Sequence, residues 1–205
     1  MDHGFRKSNK HLKKLKRYIY LISPQRIREV KFYKELHQVL KTNKVKYFQL
    51  RLKNISTQNL LKISRKIEKI TKKNNVKFLI NDKPFVAKTI GADGCHIGQK
   101  DMDFKKSRKI LGKNKIIGIT CHNSKKLAIK AKIHGANYIA FGSFFKSSTK
   151  KSAFKANLAI LRWAKKKLIC QSLQLAESII SIIKKYYPTE QILLLVRVIF
   201  GITKN

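Results

Sequence analysis

Acidic side chains are scarce in this chain. Ten Asp and Glu stand against 48 Lys and Arg, a formal net charge of +38 over 205 residues. Charge of that sign suits phosphorylated partners. The basic residues are spread along the whole chain rather than gathered on one tail or face, so nucleic acid is not the expected partner. The excess reads instead as A/T-rich codon usage, which favours Lys, Asn and Ile. Cysteine is confined to Cys95, Cys121 and Cys170. An odd count at wide spacing excludes a disulfide framework and a zinc pattern, and it fits a reducing cytoplasm. Long apolar runs are missing as well. Tyr18 to Ile22 stops at Ser23-Pro24, too short for a signal-peptide core. Ile192 to Ile202 carries Arg197 and is too short to span a bilayer, so no membrane partner is expected.

What is present is a hydrophobic content of 43%, enough for one domain to bury a core. Short apolar runs alternate with longer amphipathic ones. Strands are expected at Tyr18–Ile22, Tyr47–Leu50, Val76–Ile80, Gly94–Ile97, Ile116–Thr120 and Tyr138–Phe141. Helices are expected at Lys31–Leu40, from a Ser56/Thr57 cap to Lys73, and at Pro84–Ile90, Phe104–Leu111, Ser124–His134 and Asn157–Lys167. Regular β-α alternation with short connections predicts a parallel sheet. No Gly-rich dinucleotide fingerprint follows the first strand. The pattern therefore favours an α/β fold of the TIM (β/α)8 barrel type over a Rossmann sheet. The expected organisation is a basic arm over 1–17, six β-α units over 18–167 and an atypical tail over 168–205.

A barrel of this type carries its site at the C-terminal ends of the strands, and the chemically loaded residues fall there. In so basic a chain each acid is informative. Asp82 closes one apolar run after Asn81, and Asp101 closes the next, beyond Gly98 and Gln99. Two carboxylates on one rim suit Mg²⁺. Each could equally be a helix N-cap, Asp82 before Pro84 and Asp101 before Phe104. Gln49-Leu50-Arg51-Leu52-Lys53 alternates at a strand end, so Gln49, Arg51 and Lys53 share a face and suit a phosphate or pyrophosphate. The bland alternative is a solvated strand end. Gly142 to Lys150 is a glycine-led loop of hydroxyls ending in Lys, suited to a diphosphate but without the Walker order; it could equally be a plain polar loop. Cys121-His122 is a poor nucleophile and base, because neighbours on a strand point apart. His96 reads as a packed strand histidine rather than a metal ligand.

Together these motifs resemble thiamine-phosphate synthase and its relative, the thiazole tautomerase. The matching pieces are Gln49–Lys53, Ile80–Asp82, Gly91–Asp101, Ile116–His122 and Gly142–Lys150, in family order and spacing. The resemblance implies a TIM barrel that joins hydroxymethylpyrimidine pyrophosphate to thiazole phosphate. It implies that Gln49, Arg51, Lys53 and Asn81 hold the pyrimidine pyrophosphate and that Asp82 and Asp101 bind Mg²⁺. Ser147, Thr149 and Lys150 would grip the pyrophosphate and the thiazole side. Thr120 stands where the family usually has Ser, and it contacts substrate by the same implication. Thr120 and Lys150 are the expected catalytic residues. Leu52, Lys146 and Ser147 depart from the family's acid, Pro and Thr. Two other readings are a tautomerase-like or inactive relative, and a non-catalytic nucleic-acid binder. The intact aspartate pair and the Arg/Lys cluster argue against a tautomerase, which handles no pyrophosphate.

After about Leu168 the pattern vanishes, and the barrel is expected to be incomplete or irregular. The family's Gly-Gly phosphate loop has no counterpart, since Gly201 is the only glycine from Cys170 onward. Gln171–Tyr187 could form an amphipathic helix, and Ile192–Ile202 an apolar strand or helix. One lost base near Leu168–Ile169 would explain the break. In the shifted frame Gln171 to Ser178 permits Pro-Ile-Val-Ala-Ile-Gly-Gly-Ile, and Thr189 to Leu195 permits Asn-Gly-Ala-Asn-Phe-Ile-Ala. Both look like the family's last strands. Resequencing the gene is the check, and the expected outcome is an alternative with one more base at that point. A clean, uninterrupted reading frame there overturns the idea.

Overall fold

A computed structural model describes residues 19–27, 29–142, 156–168, 170–172 and 198–202. Its elements run β1 (Ile19–Ile22), α1 (Glu29–Lys41), β2 (Val45–Leu50), α2 (Thr57–Lys73), β3 (Lys77–Asn81), α3 (Pro84–Thr89) and β4 (Gly94–Ile97). They continue with α4 (Phe104–Leu111), β5 (Ile116–His122), α5 (Lys125–Ile133), β6 (Tyr138–Phe141), α6 (Leu158–Lys167), β7 (Cys170–Ser172) and β8 (Val198–Ile202). Each of the six expected β-α units is present. Helices α2, α4, α5 and α6 begin where short polar side chains satisfy the first free N–H groups. Ser56 Oγ accepts from Asn59 N at 3.2 Å, Ser124 Oγ from Leu127 N at 3.2 Å, and Asn157 Oδ1 from Ile160 N at 3.1 Å. Among the described residues no helix is long and apolar enough to cross a membrane.

Strands β1 to β6 pair in parallel, each with its predecessor in the chain. The sheet order is β1-β2-β3-β4-β5-β6-β8-β7. That is the order of a TIM-like barrel through its sixth strand. Then the pattern changes: β8 lies antiparallel beside β6, and β7 antiparallel beside β8. A regular barrel would place its seventh strand parallel to β6. Among the described residues no strand joins β7 to the free edge of β1, so the barrel is incomplete. The tail departs from the sequence expectation in detail: Gln171 and Ser172 belong to a strand rather than to the start of a helix. Val198–Ile202 is a strand, one of the two forms expected there.

Alternation along each strand sorts the core in two. Phe48, Phe78, Ile80, Cys95, Ile117, Cys121, Ile139 and Phe141 point outward to the helices and join one large apolar cluster. Phe48 and Phe78 stack at 6.1 Å within it, and each buried ring of this kind contributes roughly 1.5–3 kcal/mol. The inward positions form a second cluster of Tyr20, Ile22, Leu79, Tyr138 and Ala140, with Tyr47 and Ile116 against it. Two inward positions are glycines. A Cβ on Gly94 would stand 1.9 Å from the Ile116 carbonyl oxygen, because β4 and β5 pack at that point with no room for a side chain. Gly94→Ala is expected to lower the midpoint of denaturant unfolding by the equivalent of about 1–3 kcal/mol, the usual penalty of overpacking. An unchanged midpoint would mean that the two strands separate freely.

Candidate functional site

The C-terminal ends of β2 to β5 gather the residues the sequence singled out. Gln49 is fully buried on the inner face of β2. Its Nε2 donates to Asn81 Oδ1, and Asn81 Nδ2 donates to Asp82 Oδ2, both in close contact. The backbone past β2 is pinned by Ser23, itself buried, whose Oγ accepts from Arg51 N at 2.9 Å. This hydrogen bond sets where Arg51 leaves the sheet. Asp82 takes a left-handed backbone with φ of 60°, and its N–H donates to the His96 carbonyl at 2.8 Å. Such a conformation in a non-glycine residue is unusual and concentrates at functional positions.

Neither aspartate is spent on capping a helix. The N-cap of α4 is Asp103, whose carboxylate accepts from Lys105 N and Lys106 N. The N-cap of α3 is Lys83, with no side-chain cap bond, and Pro84 fills the first turn. Asp101 instead folds back: its Oδ2 accepts from Gly98 N at 2.8 Å. A Cβ on Gly98 would lie 2.5 Å from that same oxygen, so any larger residue there would make the Asp101 carboxylate shift.

The two carboxylates meet. Asp82 is pushed up to about 7, first by burial, then by a hydrogen bond with Asp101 and by the charge of Asp101; Arg51 and Lys53 oppose the shift. Asp82, Asp101, Arg51 and Lys53 are thus close enough to act on one another electrically. The arrangement is two acids that oppose each other's ionisation, with two cations at their side. Such a donor pair fits a divalent cation. Among the described residues no cluster of three or more His, Cys, Asp or Glu forms. Two carboxylates would therefore leave most of an Mg²⁺ shell to water and substrate phosphate, the habit of that ion.

Thr120 lies on the inner face of β5, buried, with Oγ1 at 2.8 Å from His96 Nε2 and its carbonyl accepting from Gln99 Nε2. His96 is a buried strand histidine with both ring nitrogens engaged, the second by Tyr138 Oη at 2.9 Å. Cys121 faces the helices, and burial pushes its thiol up to about 12, far from a nucleophile's range. Ser147, Thr149 and Lys150 lie outside the described residues. Sequence reasoning passed over Ser23, Gln99, Tyr20 and Tyr138. For the two tyrosines the available signal was alternation: both occupy inward positions of strands whose neighbours are apolar.

Residues 19–184 match the thiamine monophosphate synthase family. The chain belongs to that family. A thiamine-phosphate synthase of Pelagibacter ubique (strain HTCC1062) is 54% identical over 151 residues, covering 74% of this chain and 72% of the relative. One from Clostridioides difficile (strain 630) is 36% identical over 157 residues, 77% of this chain and 74% of the relative. The structure of thiamine phosphate pyrophosphorylase from Pyrococcus furiosus superposes with a TM-score of 0.64 at 26% identity, covering 74% of this chain and 71% of that one. This thiamine monophosphate synthase family member thus shares both sequence and barrel architecture with its relatives, and the family match extends beyond Lys150, where the sequence motifs end.

Asp82 gives the site a pH signature. Its value in the folded chain lies above the ordinary 3.8, so the fold favours the protonated form. That contribution is full below about pH 4 and is lost as pH rises through about 7. Asp82→Asn keeps an acceptor for Asn81 and tolerates the left-handed backbone. In metal-free buffer the variant should melt at a higher temperature than the parent at about pH 8, with the gap closing toward about pH 4. A gap that is constant across this range would place the titrating group elsewhere.

Proposed function

We propose that the chain is a thiamine-phosphate synthase, a transferase that moves the pyrimidine-methyl group of hydroxymethylpyrimidine pyrophosphate to a thiazole phosphate. The observation that carries this reading is the row Gln49, Asn81, Asp82, hydrogen-bonded in sequence at the barrel rim, with Asp101, Arg51 and Lys53 within electrostatic reach of its end. Asp82 and Asp101 would hold Mg²⁺, which supplies charge neutralisation for the pyrophosphate. Arg51 and Lys53 add fixed cations to the same phosphates, Arg51 as a planar fork and Lys53 as a point charge.

In the reaction the carbon–oxygen bond to pyrophosphate breaks and a carbon–nitrogen bond to the thiazole ring forms. Negative charge grows on the departing oxygens, where the cations stand ready. The electron-rich pyrimidine carries the positive charge left on its methylene carbon. Little covalent help from the protein is then needed, and the work is positioning and electrostatics. Gln49 and Asn81 would orient the pyrimidine pyrophosphate. Thr120 and Lys150 would act at the reacting centre, with Ser147 and Thr149 on the pyrophosphate and thiazole side. The net charge of +38 draws such phosphorylated substrates toward the protein. Cytoplasm is the matching compartment.

One observation supports a second reading, a family member without activity. Antiparallel β8 stands beside β6, where a regular barrel has a parallel strand and, after it, a phosphate-binding loop. A single assay separates the two. The purified chain is incubated with both substrates and Mg²⁺, beside Asp82→Ala/Asp101→Ala. Thiamine phosphate from the parent, and a rate at least ~100-fold lower from the variant, is the expected outcome for loss of a charge-stabilising group. No product from the parent would leave family membership and remove the activity.

A further inference from the structure

The inner face of the barrel carries a continuous row of buried polar contacts that reaches beyond the rim. Thr120 Oγ1 lies 2.8 Å from His96 Nε2, His96 Nδ1 lies 2.9 Å from Tyr138 Oη, and Tyr138 Oη lies 2.7 Å from Tyr20 Oη. Tyr20 Oη donates to Gln49 Oε1 at 3.0 Å, and the row ends through Asn81 at Asp82. Tyr20, Gln49, His96, Thr120 and Tyr138 are all buried.

The direction of every proton in this row follows from its two amides, each of which has one donating and one accepting face. Asn81 presents Nδ2 to Asp82 Oδ2. Asn81 Oδ1 then faces Gln49, which must present Nε2, leaving Gln49 Oε1 to face Tyr20. The one hydroxyl proton of Tyr20 goes to Gln49. Toward Tyr138, Tyr20 can therefore only accept, and Tyr138 spends its own proton there. Toward His96, Tyr138 can now only accept, which requires a proton on Nδ1. In the neutral ring Nε2 is then the acceptor, and Thr120 donates to it.

We infer that Tyr20 and Tyr138 are positioning residues, whose hydroxyls carry a one-way hydrogen-bond chain from Thr120 to Asp82 that fixes His96 as its Nδ1–H tautomer. The chain commits the amide faces of Gln49 and Asn81 and the hydroxyl proton of Thr120. Any further group that meets Thr120 Oγ1 has to donate to it. A second observation shows that the chain is built in. Tyr138 pairs with Gly118 across β5 and β6, and a Cβ on Gly118 would lie 1.9 Å from Tyr138 Cζ and 2.3 Å from its Oη. Glycine at that position makes the room in which the ring crosses the barrel. The ring stacks on His96 at 5.6 Å and meets the edge of Tyr20 at 5.7 Å. The catalytic consequence rests on the transfer reading above; the tautomer does not.

The test is nitrogen-15 NMR of the histidine rings in the full chain, without substrate, at about pH 8, above the usual histidine range. His96 is assigned with His96→Asn or, if that variant does not fold, by replacing the other five of the six histidines. The expected parent spectrum has the proton on Nδ1. In Tyr138→Phe, which keeps the ring but removes that acceptor, the proton should move to Nε2, and Gly118→Ala should produce the same move by displacing the ring. A parent ring protonated on Nε2 or on both nitrogens, or a tautomer unmoved in Tyr138→Phe, overturns the inference. The kinetic arm asks for a kcat in Tyr138→Phe about 10–100-fold below the parent, the usual cost of losing an orienting partner, with KM changed less. A shifted tautomer with kcat unchanged overturns the positioning role. A parent without activity refutes the transfer reading alone and leaves the tautomer result standing.

Discussion

A side-chain amide gives hydrogen bonds from one face and accepts them at the other, and the polar interior of this barrel depends on that asymmetry. Asp82 receives Asn81, and from there each amide, phenol and ring has a single way to turn. Buried polar groups are tolerable when every member is satisfied, and a directed row satisfies its members without competing alternatives. The apolar neighbours Ile22, Leu79 and Ala140 pack beside the two tyrosines of the row.

The same crowding that raises Asp82 also makes the rim receptive to a cation. Asp101 is held by the glycine turn at Gly98, Asp82 by its left-handed backbone, and Arg51 by Ser23. Each of these supports engages the backbone: the Gly98 N–H, the left-handed φ of Asp82 and the Arg51 N–H. Lys77 and Asp93 form the complementary structure elsewhere: an ion pair at 2.8 Å whose acid also accepts from Phe78 N, tying β3 to the turn before β4.

Much of this was legible in the sequence, for physical reasons that can be named. Period-two alternation in Gln49-Leu50-Arg51-Leu52-Lys53 put three polar groups on one face, and Arg51 and Lys53 do act together on Asp82. Ser56, Ser124 and Asn157 stood where N-caps belong, so the helix boundaries followed. The choice between cap and rim site for the aspartates was not legible, because Asp103 sits only two residues beyond Asp101 and composition cannot say which one caps. Tyr20 and Tyr138 escaped because an inward tyrosine in an apolar strand reads as core; only the distance between their oxygens reveals the link. The antiparallel placement of β8 was equally hidden, since an apolar run states neither its direction nor its neighbour.

Strand order has a consequence for how the chain comes into being. From β1 to β6 every strand lies beside the one made just before it. On a ribosome each new β-α unit would find its partner already exposed, so the sheet can grow in the order of synthesis with short loops to close. Asn81, Asp82, His96, Asp101, Thr120 and Tyr138 all belong to that early portion. The interior row could then assemble before the divergent tail has left the exit tunnel, and the last segment of the chain would meet a sheet whose site is already in place.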